Sequence, residues 1–436
     1  MGSNDESRTD ASEMTSATGS DPADPVATGT QGPGSRGAGA ALLVAVCLVA
    51  ANMRLSITAV GPLLDQIGTD TGLSVGTLGL IAAVPLVAWA AVSPFALGLS
   101  LRFGMSRVVL GSLLVLLAGT IVRSLPGPTV SLWIGTVLIG LALAIANVLM
   151  PAVIKRDFPT RVPVVMAAYT GLLGGVGAIS SGVAVPLSFL GDEQSGWRIA
   201  LLVTGAGLLI PAIGVWAWAT RGHHAVHLAR PVTARVRTGI WRDALAWQVA
   251  AYMGFQAATF YMMLTWLAAI STSIGRSEVV AGFDVMIYQL TTIAGSIIVP
   301  LLLRGPAERY VPAAIPIVGV AGIAGLMLAP EGIVVWVLIA GLSSGASLSM
   351  ALTLMAQRAR TSDVSAALSG MAQSVGYLIA AAGPVLFGWL HAGLGGWNFS
   401  LALLMLVLVA QSVTGVFAGR PRFVLESPRS RPVPRD

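Results

Sequence analysis

Residues 37–64 read GAGAALLVAVCLVAANMRLSITAVGPLL, with a single charge at Arg54. Membrane-crossing helices need about 20 apolar residues, so this stretch can cross with Arg54 near its centre. An arginine at that depth costs about 2.5–3.5 kcal/mol on insertion scales. A chain that keeps such a cation must give it a use or a partner.

The rest of the chain has the same character. Of 436 residues, 55% are hydrophobic and only 10% charged, and the mean hydropathy is +0.81. Soluble domains carry about 25% charged residues. This composition predicts a polytopic all-α membrane protein. The single cysteine, Cys47, excludes an intramolecular disulfide and reads as a small packing residue. The pI near 10.1 invites a nucleic-acid reading, but the basic residues sit between apolar runs, where membrane orientation places them. No nucleic-acid partner is expected. Residues 1–37 are polar and aperiodic and predict a disordered tail. They lack a basic segment before an apolar one, so they do not read as a cleaved signal.

Twelve apolar spans follow, at about 38–64, 75–99, 106–123, 130–154, 163–190, 197–220, 244–272, 279–303, 309–329, 332–356, 364–390 and 397–418. A polar linker at 221–243 divides six from six, and 419–436 forms a second tail. With the N-terminus inside, inward segments hold 21 of the 25 Lys and Arg. The outer loops hold Arg123, Arg198 and Arg276. Both termini are therefore expected in the cytoplasm, and the protein in the plasma membrane.

The two sets of six resemble each other. Trp197 and Trp397, which open spans six and twelve, lie 200 positions apart. Gly140 and Gly341 in spans four and ten lie 201 apart, and Pro186 and Pro384 in spans five and eleven 198 apart. Near-constant offsets indicate a duplicated six-helix unit, 38–220 and 244–418. Two pseudo-symmetric bundles around a midplane site are a common secondary-transporter plan.

Four stretches carry a family likeness: NMRLSITAVGPLL (52–64), NVLMPAVIKRDFP (147–159), GFQAATFYMMLTWL (254–267) and RARTSDVSAALSGMAQSVGYLIAAAGPVLFGWLH (358–391). On these the chain resembles the major facilitator superfamily, and within it the cyanate/2-nitroimidazole permease branch. The likeness covers roughly residues 40 to 420. It implies alternating access and small solutes such as cyanate, nitroimidazole-like heterocycles or related organic anions, imported by some members and exported by others. It also implies an inner-membrane permease or antiporter. The superfamily's acidic loop motif between spans two and three is incomplete: LGLSLRFGMSRVVL (97–110) has Leu101 where the acid would stand.

Arg54 is the strongest candidate for the substrate site. A guanidinium presents five donors in a planar fork suited to carboxylate-like groups. The alternative is a structural cation held by carbonyls or one acid. Asn52, about 200° away on the helix, points elsewhere and suits a tie to a neighbouring span. It is kept as a candidate because it recurs with Arg54 in the resembled motif. Span seven offers Gln256, Thr259, Tyr261 and Trp266, and alignment of the repeats sets Phe255 opposite Arg54. Asn147, Tyr169, Gln289, Gln373 and Tyr377 are further cavity candidates; Gln373 and Tyr377 share one helix face. Asp284 reads either as a proton-coupling carboxylate or as a solvated helix-end acid in a wet vestibule. Lys155, Arg156 and Asp157 read as a gate lock or as markers of the cytoplasmic side. HHAVH at 223–227 lacks a tetrahedral ligand set, so no metal is expected.

No nucleotide-binding loop appears, so the drive would be a proton or substrate gradient. No cofactor is expected, and the plan is self-sufficient as a monomer. The spans lack the convergent groups an enzyme needs, and no added regulatory domain suggests a sensor. The expected function is a secondary transporter of a small, anionic solute. The alternative is a proton-coupled efflux pump for neutral heterocycles such as nitroimidazoles.

Overall fold

The computed structural model describes residues 33–192, 195–221, 238–304 and 308–426. The first tail up to residue 32, the histidine cluster and most of the central linker lie outside them. The described residues form helices, short 3-10 turns and loops, with no strand among them.

Among the described residues, twelve helices are long and apolar enough to cross a membrane. Span one is Ala40–Thr71, two Val75–Ala96, three Met105–Ser124, four Val130–Asp157, five Val162–Ser188 and six Gly196–Ala219. Span seven is Ala244–Ser273, eight Glu278–Leu302, nine Glu308–Leu328, ten Pro330–Gln357, eleven Asp363–Leu394 and twelve Trp397–Ala418. Several starts carry sequence signals. Ser74, Ser277 and Thr361 each accept a backbone N–H three residues on, and Asp243 accepts those of Leu245 and Ala246. Such caps satisfy donors that a helix start leaves free.

Span one is longer than its apolar run suggests, because it is broken. Its first helix stops at Thr58, a 3-10 turn covers Gly61–Leu63, and a second helix runs Leu64–Thr71. Pro62 has no N–H, so the Thr58 carbonyl loses its helical donor. Ser181 supplies one through its Oγ at 2.9 Å. Ser180 donates to the Leu55 carbonyl at 3.1 Å, and Arg123 to the Ser56 carbonyl at 2.8 Å. Within a membrane, interrupted helices persist only where neighbouring groups satisfy the freed backbone. Spans three and five do so here.

The repeat is visible in packing. A methyl group on Gly140 would press against Pro85 and Ala88 of span two. One on Gly341 would press against Thr291 and the Tyr288 carbonyl of span eight. Span four thus seats on two as span ten seats on eight.

The spans of the two repeats meet closely toward the face opposite the chain ends. An added Cβ at Gly61 would lie 2.3 Å from the Leu264 carbonyl oxygen, and one at Gly79 2.6 Å from that of Pro384. Gln66 donates to Glu278 at 2.8 Å on the same face. The conformation is closed at this face.

Candidate functional site

Arg54 lies before the break in span one, with its guanidinium half-buried. Its Nη1 donates to the Tyr261 hydroxyl at 3.3 Å, and Phe260 lies under the guanidinium with its ring centre 5.8 Å from Cζ. Both come from span seven, in the other repeat. Gly177 of span five lets the Arg54 stem approach; a Cβ there would lie 3.0 Å from Arg54 Cβ.

An aromatic wall extends from this pair. Trp89 of span two stands edge-on to Tyr261 at 6.2 Å and to Tyr377 of span eleven at 5.2 Å. Phe260 stacks on Tyr288 of span eight at 6.0 Å. The Trp89 indole N–H is buried and has no acceptor among the described residues. The wall therefore offers ring faces and a free donor beside the cation.

None of the ion pairs among the described residues involves Arg54. A cation over a ring gains about 0.5–2 kcal/mol, and a phenol accepts a hydrogen bond without cancelling the charge. Arg54 therefore stays electrostatically unneutralised where the field is weakly screened. The arrangement can hold an anion, or a flat polar molecule against the rings.

A second polar seam joins spans one, five and eight. Gln289 donates to Ser181 Oγ at 2.6 Å, and Thr58 to the Gly177 carbonyl at 2.8 Å. The Tyr169 hydroxyl donates to Met53 Sδ at 3.1 Å, one residue from Arg54. Gln373 donates to Ser369 at 2.9 Å and is half-buried one turn from Tyr377. Asn147 is half-buried, and Gln256 is buried with its Oε1 unpartnered.

Several expectations are corrected. Phe255 does not face Arg54; Phe260 and Tyr261 do. Aligning repeats equates depths, whereas contact also depends on where side chains lean. Asn52 does not tie span one to a neighbour, since it donates at 2.7 Å to the Leu48 carbonyl of its own helix. Trp266 is no cavity liner: it is 1% exposed, donates to the Pro384 carbonyl at 2.9 Å and packs with Phe387 and Trp397.

Asp284 is not in a wet vestibule. It is 1% exposed, pairs with Arg276 at 2.9 Å and accepts from Ser271 at 2.6 Å. Arg156 pairs with Asp157 at 2.6 Å and reaches Ser106 of span three at 3.1 Å, so this cluster braces one half and does not lock two. Lys155 is exposed. Arg123, expected in an outer loop, is 2% exposed in the last turn of span three. Among the described residues no group of His, Cys, Asp and Glu could hold a metal ion.

Trp89 and Phe260 escaped the sequence reading. The available signals were a lone tryptophan in VPLVAWAAV (84–92) and the F–Y pair beside a candidate tyrosine.

Comparison with known proteins places this chain in a family. The chain is 36% identical to the 2-nitroimidazole transporter of Escherichia coli (strain K12) over 383 residues, covering 87% of this chain and 96% of that one. It is 25% identical to the cyanate transport protein CynX of the same strain, over 84% and 94% of the two chains. Among solved structures, a bacterial homolog of the human lysosomal transporter Spinster, inward-facing and unoccupied, superposes with a TM-score of 0.74 at 15% identity, covering 91% of this chain and 99% of that one. A D-xylose–proton symporter gives 0.71 at 14%, over 88% and 99%. At such identities these two share the fold alone. The major facilitator superfamily profile matches residues 46–384, most of the chain. With twelve spans among its described residues and a half-buried central cation, the chain belongs to the major facilitator superfamily.

Proposed function

We propose that this transporter moves a small organic or cyanate-like anion across the plasma membrane by alternating access, with Arg54 as the anchor. One observation carries the reading: a guanidinium at mid-span, without a carboxylate partner among the described residues, under a wall built from both repeats. The halves 38–220 and 244–418 act as the moving bodies, joined by 221–243. Lys and Arg distribution supports cytoplasmic termini. The chain-end face is then the inner one, and the closed face is the outer one. Tyr261, Tyr377, Tyr169, Gln289, Gln373, Asn147 and Gln256 complete the binding surface. Asn52, Trp266, Arg156 and Asp157 support it structurally. Asp284 can serve proton coupling only by releasing Arg276 when it is protonated. The unit works as a monomer.

A neutral nitroimidazole-like heterocycle is the second reading. It is favoured by the ring faces of Trp89, Phe260 and Tyr261 and by the transport named for the 36%-identical relative.

The test is a thermal-shift screen of purified wild type and Arg54→Gln against small organic anions, cyanate and neutral heterocycles. Stabilisation by anions that vanishes in the variant supports the anion permease. Stabilisation by neutral heterocycles that survives in it removes Arg54 as the anchor and favours efflux.

A further inference from the structure

Arg54 is not the only cation enclosed by the bundle. Arg123 is 2% exposed at the end of span three. Its Nη1 donates to the Ser56 carbonyl at 2.8 Å, while Nε and Nη2 are buried without an acceptor. It has no ion pair among the described residues. Gly135 of span four packs directly on its backbone, where a Cβ would lie 2.5 Å from Arg123 Cβ. The cation is held in place with two donors unpartnered, and Arg123 lines a cleft.

That cleft is lined from span one by Ser56, from span two by Pro85, from span four by Thr136, and from span seven by Tyr261, Leu264 and Thr265. It offers about 20 Å³ to the centre of a water-sized sphere. A single water needs only about 10–15 Å³, so one small species fits. No acid lines it. An arginine does not deprotonate in proteins, and a buried charge without a partner is costly. Water would satisfy the donors but leave the charge. An anion does both.

We propose that Arg123 holds a small monovalent inorganic anion, chloride in size, in this cleft. Three of the lining residues come from span seven, in the other half. The site is complete only while the face opposite the chain ends is closed, so the anion favours that closed state. Tyr261 lines the cleft and also accepts from Arg54, which places the ion site directly beside the proposed substrate anchor.

The experiment compares the melting temperature of the purified full chain in sodium chloride, sodium bromide and sodium gluconate at one ionic strength. The expected result is a saturable rise with either halide over gluconate. Ligands that bind only the folded state raise its apparent stability in this way. The rise is lost in Arg123→Gln and retained in Arg54→Gln, which separates this site from the substrate anchor. If Arg123→Gln does not fold, Leu264→Trp fills the cleft with Arg123 retained, and the halide rise is expected to disappear there. Bromide anomalous scattering beside Arg123 Nε and Nη2 supports the proposal directly. No halide-specific rise in the wild type, or an equal rise in Arg123→Gln or Leu264→Trp, means the cleft holds water only and overturns it.

Discussion

Arg54 Nη1 and the Tyr261 hydroxyl meet at 3.3 Å across the two repeats, linking span one to span seven at the centre of the protein. The contact is long for a hydrogen bond to a cation, so it leaves the guanidinium available to a better acceptor. Tyr261→Phe is therefore expected to change affinity for an anionic ligand by less than about tenfold. Arg54→Gln removes a charge-assisted bond of about 1.5–3 kcal/mol and should weaken binding by at least about tenfold. Isothermal titration of both variants with the same ligand checks the order. A larger loss in Tyr261→Phe than in Arg54→Gln contradicts it.

Trp266 belongs to the packing of spans seven, eleven and twelve. Trp266→Phe removes the indole donor to the Pro384 carbonyl and opens space beside Phe387. The expected cost is about 1–3 kcal/mol of stability, with ligand affinity unchanged within about twofold. Denaturation and titration on one preparation separate the two effects. A lost affinity at wild-type stability would return Trp266 to the binding surface.

The Asp284–Arg276 pair is buried at the acid and partly open at the base, where Arg276 is 29% exposed. Asp284→Asn leaves a cation that water reaches only in part, and about 1–3 kcal/mol of destabilisation is expected, below the cost of a fully buried break. Adding Arg276→Gln should recover part of it. If the pair is structural, uptake by the double variant in liposomes keeps the wild-type response to an imposed pH gradient. Loss of that response with stability restored identifies Asp284 as a proton carrier.

Closure opposite the chain ends depends on Gly79 lying against the Pro384 carbonyl, where a Cβ would come within 2.6 Å. Gly79→Val should push spans two and eleven apart. With Cys47→Ser as background, spin labels at Asp65→Cys and Glu278→Cys would report a longer distance in Gly79→Val. An unchanged distance distribution would show that the helices absorb the added volume without opening.

The number and order of the spans, the doubled plan and the exceptional Arg54 were all legible in the sequence. Hydrophobic length is a local property, and a repeat survives as constant spacing, as Gly140 and Gly341 show. The capping residues Ser74, Ser277 and Thr361 are local too. The break in span one had a local cue in Gly61 and Pro62, but the continuous apolar run hid it.

What surrounds each polar side chain was decided only by the tertiary structure. In a membrane the lipid-facing and protein-facing sides of a helix are both apolar, so span seven carries no pattern that tells Tyr261 from Trp266. One reaches Arg54 and the other a carbonyl of span eleven, because helix rotation and crossing set lateral neighbours. The same cause put Arg123 inside the bundle when its place beside a proline-rich loop suggested the surface, and gave Asp284 a cationic partner when its place near a helix end suggested water. Sequence alone determined where this chain crosses the membrane and that it carries a cation inside. Only packing between spans decided which rings, carbonyls and carboxylates the buried charges meet.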